Sequence, residues 1–358
     1  MTSLDSHHHP LRDIVITLAG IGVILALLRL SADIVQPVLL SLLIVTISSP
    51  PLKLLRKLGV STGLSVTLGM VLVVLALSGA SVLLSSALSR FSDSLPQYHQ
   101  QLIEHTAHLD AWLEGIGVDP HKGGVFHHFT PARINHMTEI AIAHMGSAIS
   151  DALLILFIVI FMLAEANHFP RKLAALLGTG GSAAPALAQL LHDVHLYITT
   201  KTIVSAATGL LVWIGLRLFG LDYAGLWGFL AFIFNFIPNI GSILAAVPPV
   251  LLAVLHGSPL YAGGVIVLFL GVNVLIGNVL EPIVVGRALG LSAVTVLLSL
   301  VFWGWMFGIV GMLVSVPLSM AVRAFAAAYP PTRWLAVIMG PPLVDPEVGS
   351  VESHPQSD

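Results

Sequence analysis

From Tyr223 to Leu280 the chain carries no Asp, Glu, Lys or Arg, and within that run Pro238, Asn239 and Gly241 interrupt an otherwise helical apolar pattern. An uncharged run of this length belongs in a bilayer. Lipid offers no hydrogen bonds, so a helix broken at membrane depth must hide its freed backbone groups in protein or in a wet cavity. Discontinuous helices whose ends face a substrate or ion recur in secondary transporters. The break therefore marks a path or a site. Composition points the same way: 56% of the 358 residues are hydrophobic and 9% charged, against roughly 25% charged in soluble domains. The predicted fold class is all-α, a polytopic membrane protein with about eight transmembrane helices. The net charge of -3, without a run of Lys or Arg, argues against a nucleic-acid partner. With no cysteine, thiolate catalysis and zinc-cysteine sites are excluded.

Taken in order, residues 1–13 are a cytoplasmic tail whose His7, His8 and His9 read either as a metal-binding tract or as a solvated end. Residues 14–89 hold three transmembrane helices. Ile14 to Leu28 and Ile34 to Ser49 form a hairpin around Arg29, Ser31 and Asp33, and Leu64 to Leu88 is the third. The loop between the second and third carries Pro50, Pro51, Lys53, Arg56 and Lys57; its cations place it, and with it the N-terminus, in the cytoplasm. Residues 90–149 form an extracytoplasmic amphipathic helical insertion. Phe91, Leu95, Tyr98, Leu102, His105, Leu109, Trp112 and Ile116 trace a heptad seam, and Ile134, Met137 and Ala141 supply its hairpin partner. His105 and His108 share a face but have no third ligand at a fixed spacing, so a metal, a pH-responsive contact and plain solvation all stand, and no metal site is assigned.

Residues 150–325 are the transmembrane core, with the broken helix at 235–243. Ile140 to Ala164 reads as the next span, with Asp151 near its outer part and Glu165 at its inner end. Pro185 to Lys201 reads as an amphipathic helix along the inner surface, carrying His192, Asp193 and His195. Thr202 to Phe219 is a span whose flanking Lys201 and Arg217 snorkel to the interfaces. The segment 224–255 crosses either once or twice. Arg323 and Arg333 beyond the last span favour one crossing, with both termini inside. Ala288 to Val322 is too long for one upright span and calls for tilt or an interfacial lead-in. Within it Gly304, Gly308 and Gly311 permit close helix packing, inside the subunit or at a dimer seam. Residues 326–358 are a cytoplasmic and largely disordered tail.

The polar residues at membrane depth cluster around two breaks. Asn235, Pro238, Asn239 and Gly241 lie at the first, and Asn273, Asn278, Glu281 and Arg287 at the second. Asparagines and freed carbonyls can coordinate a small cation, and a carboxylate withdrawn from water can carry a proton. The competing reading has the asparagines bridging helices and Glu281 paired with Arg287. No H-E-x-x-H, Walker A loop or G-x-S-x-G elbow is present, so the chain is not read as an enzyme and no cofactor is implied. Transport then draws on a gradient or on another subunit.

Three motifs carry a resemblance: F-N-F-I-P-N-I-G-S-I from Phe234 to Ile243, N-V-L-E-P-I-V-V-G-R-A-L-G-L from Asn278 to Leu291, and G-I-V-G-M-L-V-S-V-P-L from Gly308 to Leu318. In these the chain resembles the autoinducer-2 exporter family of bacterial inner-membrane proteins, from the N-terminal hairpin to Arg323. The resemblance implies a polytopic helical transporter with a variable outer insertion. Export of autoinducer-2 follows from the family name, while other members resemble sodium or lithium/proton antiporters. Pro238, Asn239, Gly241, Asn278, Glu281, Pro282 and Gly286 match the family pattern; the His-rich outer segment does not belong to it. The expectation is a homo-oligomeric secondary transporter of the bacterial inner membrane, exporting a small polar solute such as autoinducer-2 on an ion gradient. A Na+(Li+)/H+ antiporter is the alternative. From another class, a membrane scaffold would act through the outer hairpin.

Overall fold

The computed structural model describes residues 10–61, 63–83, 85–86, 89–90, 151–166, 172, 183–255, 259–281 and 290–341. Of the helical insertion expected at 90–149, residues 91–149 lie outside the described residues, as do Pro282, Gly286 and Arg287 of the hinge and the tail from 342 onward.

The described residues form helices joined by turns, with no strand among them. Helix α1 (Pro10–Leu30) turns at Ser31 into α2 (Ala32–Lys57). Helix α3 covers Gly63–Leu83, and α4 covers 151–165. Next come α5 (Ala183–Phe219), α6 (Ala224–Phe234), α7 (Gly241–Leu255) and α8 (Pro259–Asn273), which continues as a π-helix over Val274–Leu280. Helices α9 (Ala293–Leu313), α10 (Ser315–Ala328) and α11 (Arg333–Met339) follow among the described residues. Among the described residues, five helices are long and apolar enough to cross a membrane: Ala32–Lys57, Gly63–Leu83, Leu187–Phe219, Leu260–Leu280 and Ala293–Leu313. Large apolar side chains such as Leu218, Leu260, Val267 and Leu298 point outward, as the acyl chains of lipid allow and water does not. The protein is a polytopic all-α membrane protein.

Helix α5 is the spine. On one side it packs with α6, α7 and α8 around Val212, Leu216, Trp227, Ala253 and Val265. On the other, its Tyr197 and Ile198 join Leu43 of α2 and Leu300, Val316 and Met320 of α9 and α10. Helices α3 and α4 lean on α2 through Val73, Val159, Leu163 and Leu52.

Two helical hairpins fill this frame. Helix α6 is about 16 Å long and α7 about 22 Å, so neither reaches across a bilayer core alone. The helices that lead into and out of this pair are close there, since the rings of Phe219, which ends α5, and Tyr261, near the start of α8, lie 6.1 Å apart. The chain therefore enters, turns at Asn235–Ile240 and returns to the side it came from. Helix α9 also breaks: Phe307 and Gly308 leave helical geometry, at φ -127° and φ 59°. Beyond that corner the chain doubles back, and Ser319 of α10 lies against Ser299 and Trp303 of α9. The first hairpin opens at the Phe219 end of α5. The tip of the second, Met306 and Phe307, packs by the α1–α2 turn at Ala32. Ser49 and Lys53 of α2 meet His195 of α5, so α2 runs antiparallel to α5 and its Ala32 end lies toward Phe219. The two hairpins therefore enter from opposite sides and overlap in depth.

Four expectations change. The 224–255 segment makes neither one crossing nor two complete ones; it is a re-entrant hairpin. The surface helix read at Pro185 to Lys201 and the span read at Thr202 to Phe219 are one continuous 37-residue helix, since nothing between them breaks the 3.6-residue pattern. Pro50 and Pro51, expected in a loop, lie inside α2. Pro50 frees the Thr46 carbonyl, and the Ser49 hydroxyl donates to it at 2.9 Å. Ala288 to Val322 is not one tilted span: where described, it is the broken α9 followed by α10.

Candidate functional site

At the tip of the first hairpin the backbone turns so tightly that a Cβ on Gly241 would lie 1.8 Å from the Phe234 carbonyl oxygen. Only glycine fits there. Asn239 holds the left-handed conformation the turn needs, at φ 61°, which asparagine tolerates better than most residues. The freed backbone groups are largely reused locally. The Ile237 N–H donates to Phe234 O at 2.8 Å, and the Gly241 N–H to Ile237 O at 3.2 Å.

Beside this tip lies a small, mainly apolar cavity with room for about one water molecule, to which four polar side chains contribute. Four elements supply its polar wall: Thr208 from α5, Asn235 from the end of α6, Ser242 from α7 and Asn273 from α8. Asn235 is fixed by donating its side-chain amide to Ser205 Oγ at 2.9 Å. Phe269, Val272 and Ile276 close the apolar side. Asn273 stands where α8 widens into the π-helix, a winding that is rare and concentrated at functional sites. In it each residue advances less around the axis, so the chain beyond it is rotated relative to an α-helical continuation.

That rotation delivers Glu281, just past the π-helix, onto α5. Its Oε1 receives a hydrogen bond from Lys201 Nζ at 2.5 Å, with the lysine side chain 4% exposed and the carboxylate 28%. Tyr197, one turn earlier on α5, is buried and feels the Glu281 charge. Lys201, expected to snorkel, is buried instead, because the ion pair supplies the partner that interfacial water would have given. Ser205 and Thr208 follow Lys201 on α5 at spacings of one and two turns, so ion pair, Asn235 anchor and cavity form one polar ladder between α5 and α8.

The structure thus brings Asn235 and Asn273 together, sets Pro238 and Gly241 beside them, and puts Glu281 at the ladder's foot. Asn239 and Asn278 are exposed and do not line the cavity, whereas Asn273 is exposed as well but does line it. Arg287, the expected partner of Glu281, lies outside the described residues. Thr208, Ser242 and Lys201 are additions. Lys201 was detectable: it stands mid-way along a periodic stretch without Gly or Pro at a helix end, where a cation has no interface to reach.

The three glycines singled out for packing sit in the second hairpin. Gly308 makes the corner at positive φ, a Cβ on Gly311 would lie 1.9 Å from the Trp303 carbonyl oxygen, and one on Gly304 would lie 2.9 Å from Met312. They form an intrachain turn, not the straight G-x-x-x-G face that a continuous helix would present.

Residues 14–331 match the model of a family described as AI-2E family transporters. The AI-2 transport protein TqsA of Escherichia coli K12 is 35% identical over 310 residues, covering 87% of this chain and 90% of that protein. A protein of the same organism, provisionally named the transport protein YhhT, is 32% identical over 92% of this chain and 94% of its own length. A Haemophilus influenzae protein provisionally named as a transport protein is 35% identical over 90% and 94%.

Proposed function

Because the chain belongs to the AI-2E family of transporters, we propose that this membrane transporter moves a small polar solute along the ladder between α5, α8 and the first hairpin. The motion is outward across the bacterial inner membrane and is driven by an ion gradient. The observation that supports this is the cavity walled by Thr208, Asn235, Ser242 and Asn273, set against both the hairpin break and the π-helix. Thr208 is buried, Asn235 and Ser242 are half-buried and Asn273 is exposed, and polar side chains within membrane helices mark a path or a site. Four neutral hydrogen-bonding side chains suit a hydroxyl-rich neutral solute, in line with the autoinducer-2 that TqsA is named for.

The Lys201–Glu281 pair favours a second reading, exchange of Na+ or Li+ for H+, since a carboxylate at membrane depth can hold either in turn. Proteoliposomes distinguish the two. Autoinducer-2 efflux that depends on a proton gradient and falls about tenfold in Asn273→Ala supports the solute reading. Sodium-dependent proton movement without autoinducer-2 flux supports the antiporter. Silence for both solutes would remove transport through this cavity.

A further inference from the structure

Neither reading gives the Lys201 ammonium a task of its own, yet it is the most deeply buried charge in the described core, at 3% exposure. A buried ion pair is retained at a desolvation penalty, and an apolar pair of similar shape is often no less stable. Its presence on the polar ladder, with one partner carried on a π-wound segment, calls for a role in which the pair is made and broken. We propose that Lys201 is the resident cation of Glu281: its ammonium holds the carboxylate while the transporter rests and is displaced by an incoming proton or monovalent cation, which frees the π-helical segment to move and opens the cavity. The proposal rests on the transport reading and names its coupling residue.

The balance is simple. In the resting state Lys201 and Glu281 together carry no net charge. A proton or Na+ taken up by the carboxylate leaves the ammonium in place, so the site gains one positive charge and the attraction between α5 and the π-helix is lost. Lys201 of α5 holds Glu281 directly, and Tyr197, one turn earlier on the same helix, lies near enough to feel its charge. His195 on the same helix turns instead to Ser49 and Lys53 of α2. In this proposal the π-helix is the element that changes its winding. Rewound toward α-helical pitch, it would rotate Glu281 off Lys201 while leaving Asn273, at its start, in the cavity wall.

The cysteine-free chain gives a direct test. Ser242→Cys puts one thiol in the cavity wall, and its labelling by a water-soluble maleimide is followed in reconstituted full-length protein. The same cysteine is carried in the native, Glu281→Gln and Lys201→Gln/Glu281→Gln backgrounds, each compared at equal pH so that the thiol's own titration cancels. Both neutral backgrounds are expected to label about tenfold faster than the native pair near neutral pH, a one-decade shift of the opening equilibrium. The double variant leaves no unpaired buried charge, so it reports even where the single variant folds poorly. Equal labelling in native and double backgrounds at every pH would overturn the coupling role while leaving the path intact. No labelling in any background would instead remove the cavity as a water-reached path, and the transport reading with it.

Discussion

The two hairpins are built alike and end differently. Each turns back through a glycine whose Cβ would strike a carbonyl of its own hairpin, Phe234 O for Gly241 and Trp303 O for Gly311. At the first tip, polar side chains are left facing a cavity. At the second they are spent on one another and on a cap: Arg29 Nη1 donates to the Met306 carbonyl at 2.6 Å, and Trp303 Nε1, Ser319 and Ser299 form a chain at 2.9 and 2.6 Å. A break in a membrane helix is therefore not by itself a path; what matters is whether its surroundings satisfy every group internally. On the proposed function, the first hairpin is the working element and the second a strut beside it.

The largest effect should be shared. Gly241→Ala and Gly311→Ala each force a methyl into backbone, where no side chain can swing aside, and should destabilise by about 3 kcal/mol or more. Loss of the monodisperse peak in detergent would be the readout. If one variant survives at native stability, the tips are not equally tight and the structural likeness is weaker than the backbone implies. Next comes Arg29→Ala, which leaves the Met306 carbonyl without its cap and removes the guanidinium from the Trp305 ring, 5.7 Å away. Stability should fall by about 1–3 kcal/mol, while flux per folded molecule stays native.

Asn273→Ala should do the reverse. It removes one polar wall of the cavity beside the π-helix, so flux is expected to fall about tenfold, equivalent to about 1.4 kcal/mol in the barrier, with the melting temperature close to native. Parallel flux and melting curves for Arg29→Ala and Asn273→Ala would show whether path and strut separate as the geometry implies.

How much of the fold and the site is legible in the sequence depends on what pattern can carry. Pro238, Asn239 and Gly241 announce a break because each has a local conformational reason to be there, and the apolar runs announce membrane because burial in lipid is a property of composition. Asn235 and Asn273 stand out together because both are amides in uncharged stretches. Pairings across the chain are not readable: nothing local says that Glu281 faces Lys201, eighty positions before it. The π-helix is invisible as well, since Val274 to Leu280 has ordinary apolar residues and its wider winding answers to tertiary contacts. The second break escapes for a related reason. Gly304 and Gly308 share a face only if the helix between them is straight, and Gly308 is the residue that bends it.

The smallest effect tests the strut most sharply. Ser319→Ala removes two hydrogen bonds and leaves the Trp303 indole N–H without its acceptor. In a soluble core that would be a substantial loss. Within a bilayer, hydrogen bonds between helices average about 0.6 kcal/mol, because the separated helices find other partners in the lipid-embedded state. Two such bonds predict a loss of about 1 kcal/mol, visible as a modest drop in melting temperature, with no change in flux. The flux arm decides the matter. If Ser319→Ala transports poorly at near-native stability, its hydroxyl acts on the moving solute or on the hairpin's motion. The second hairpin would then be part of the path and the distinction between the two would dissolve.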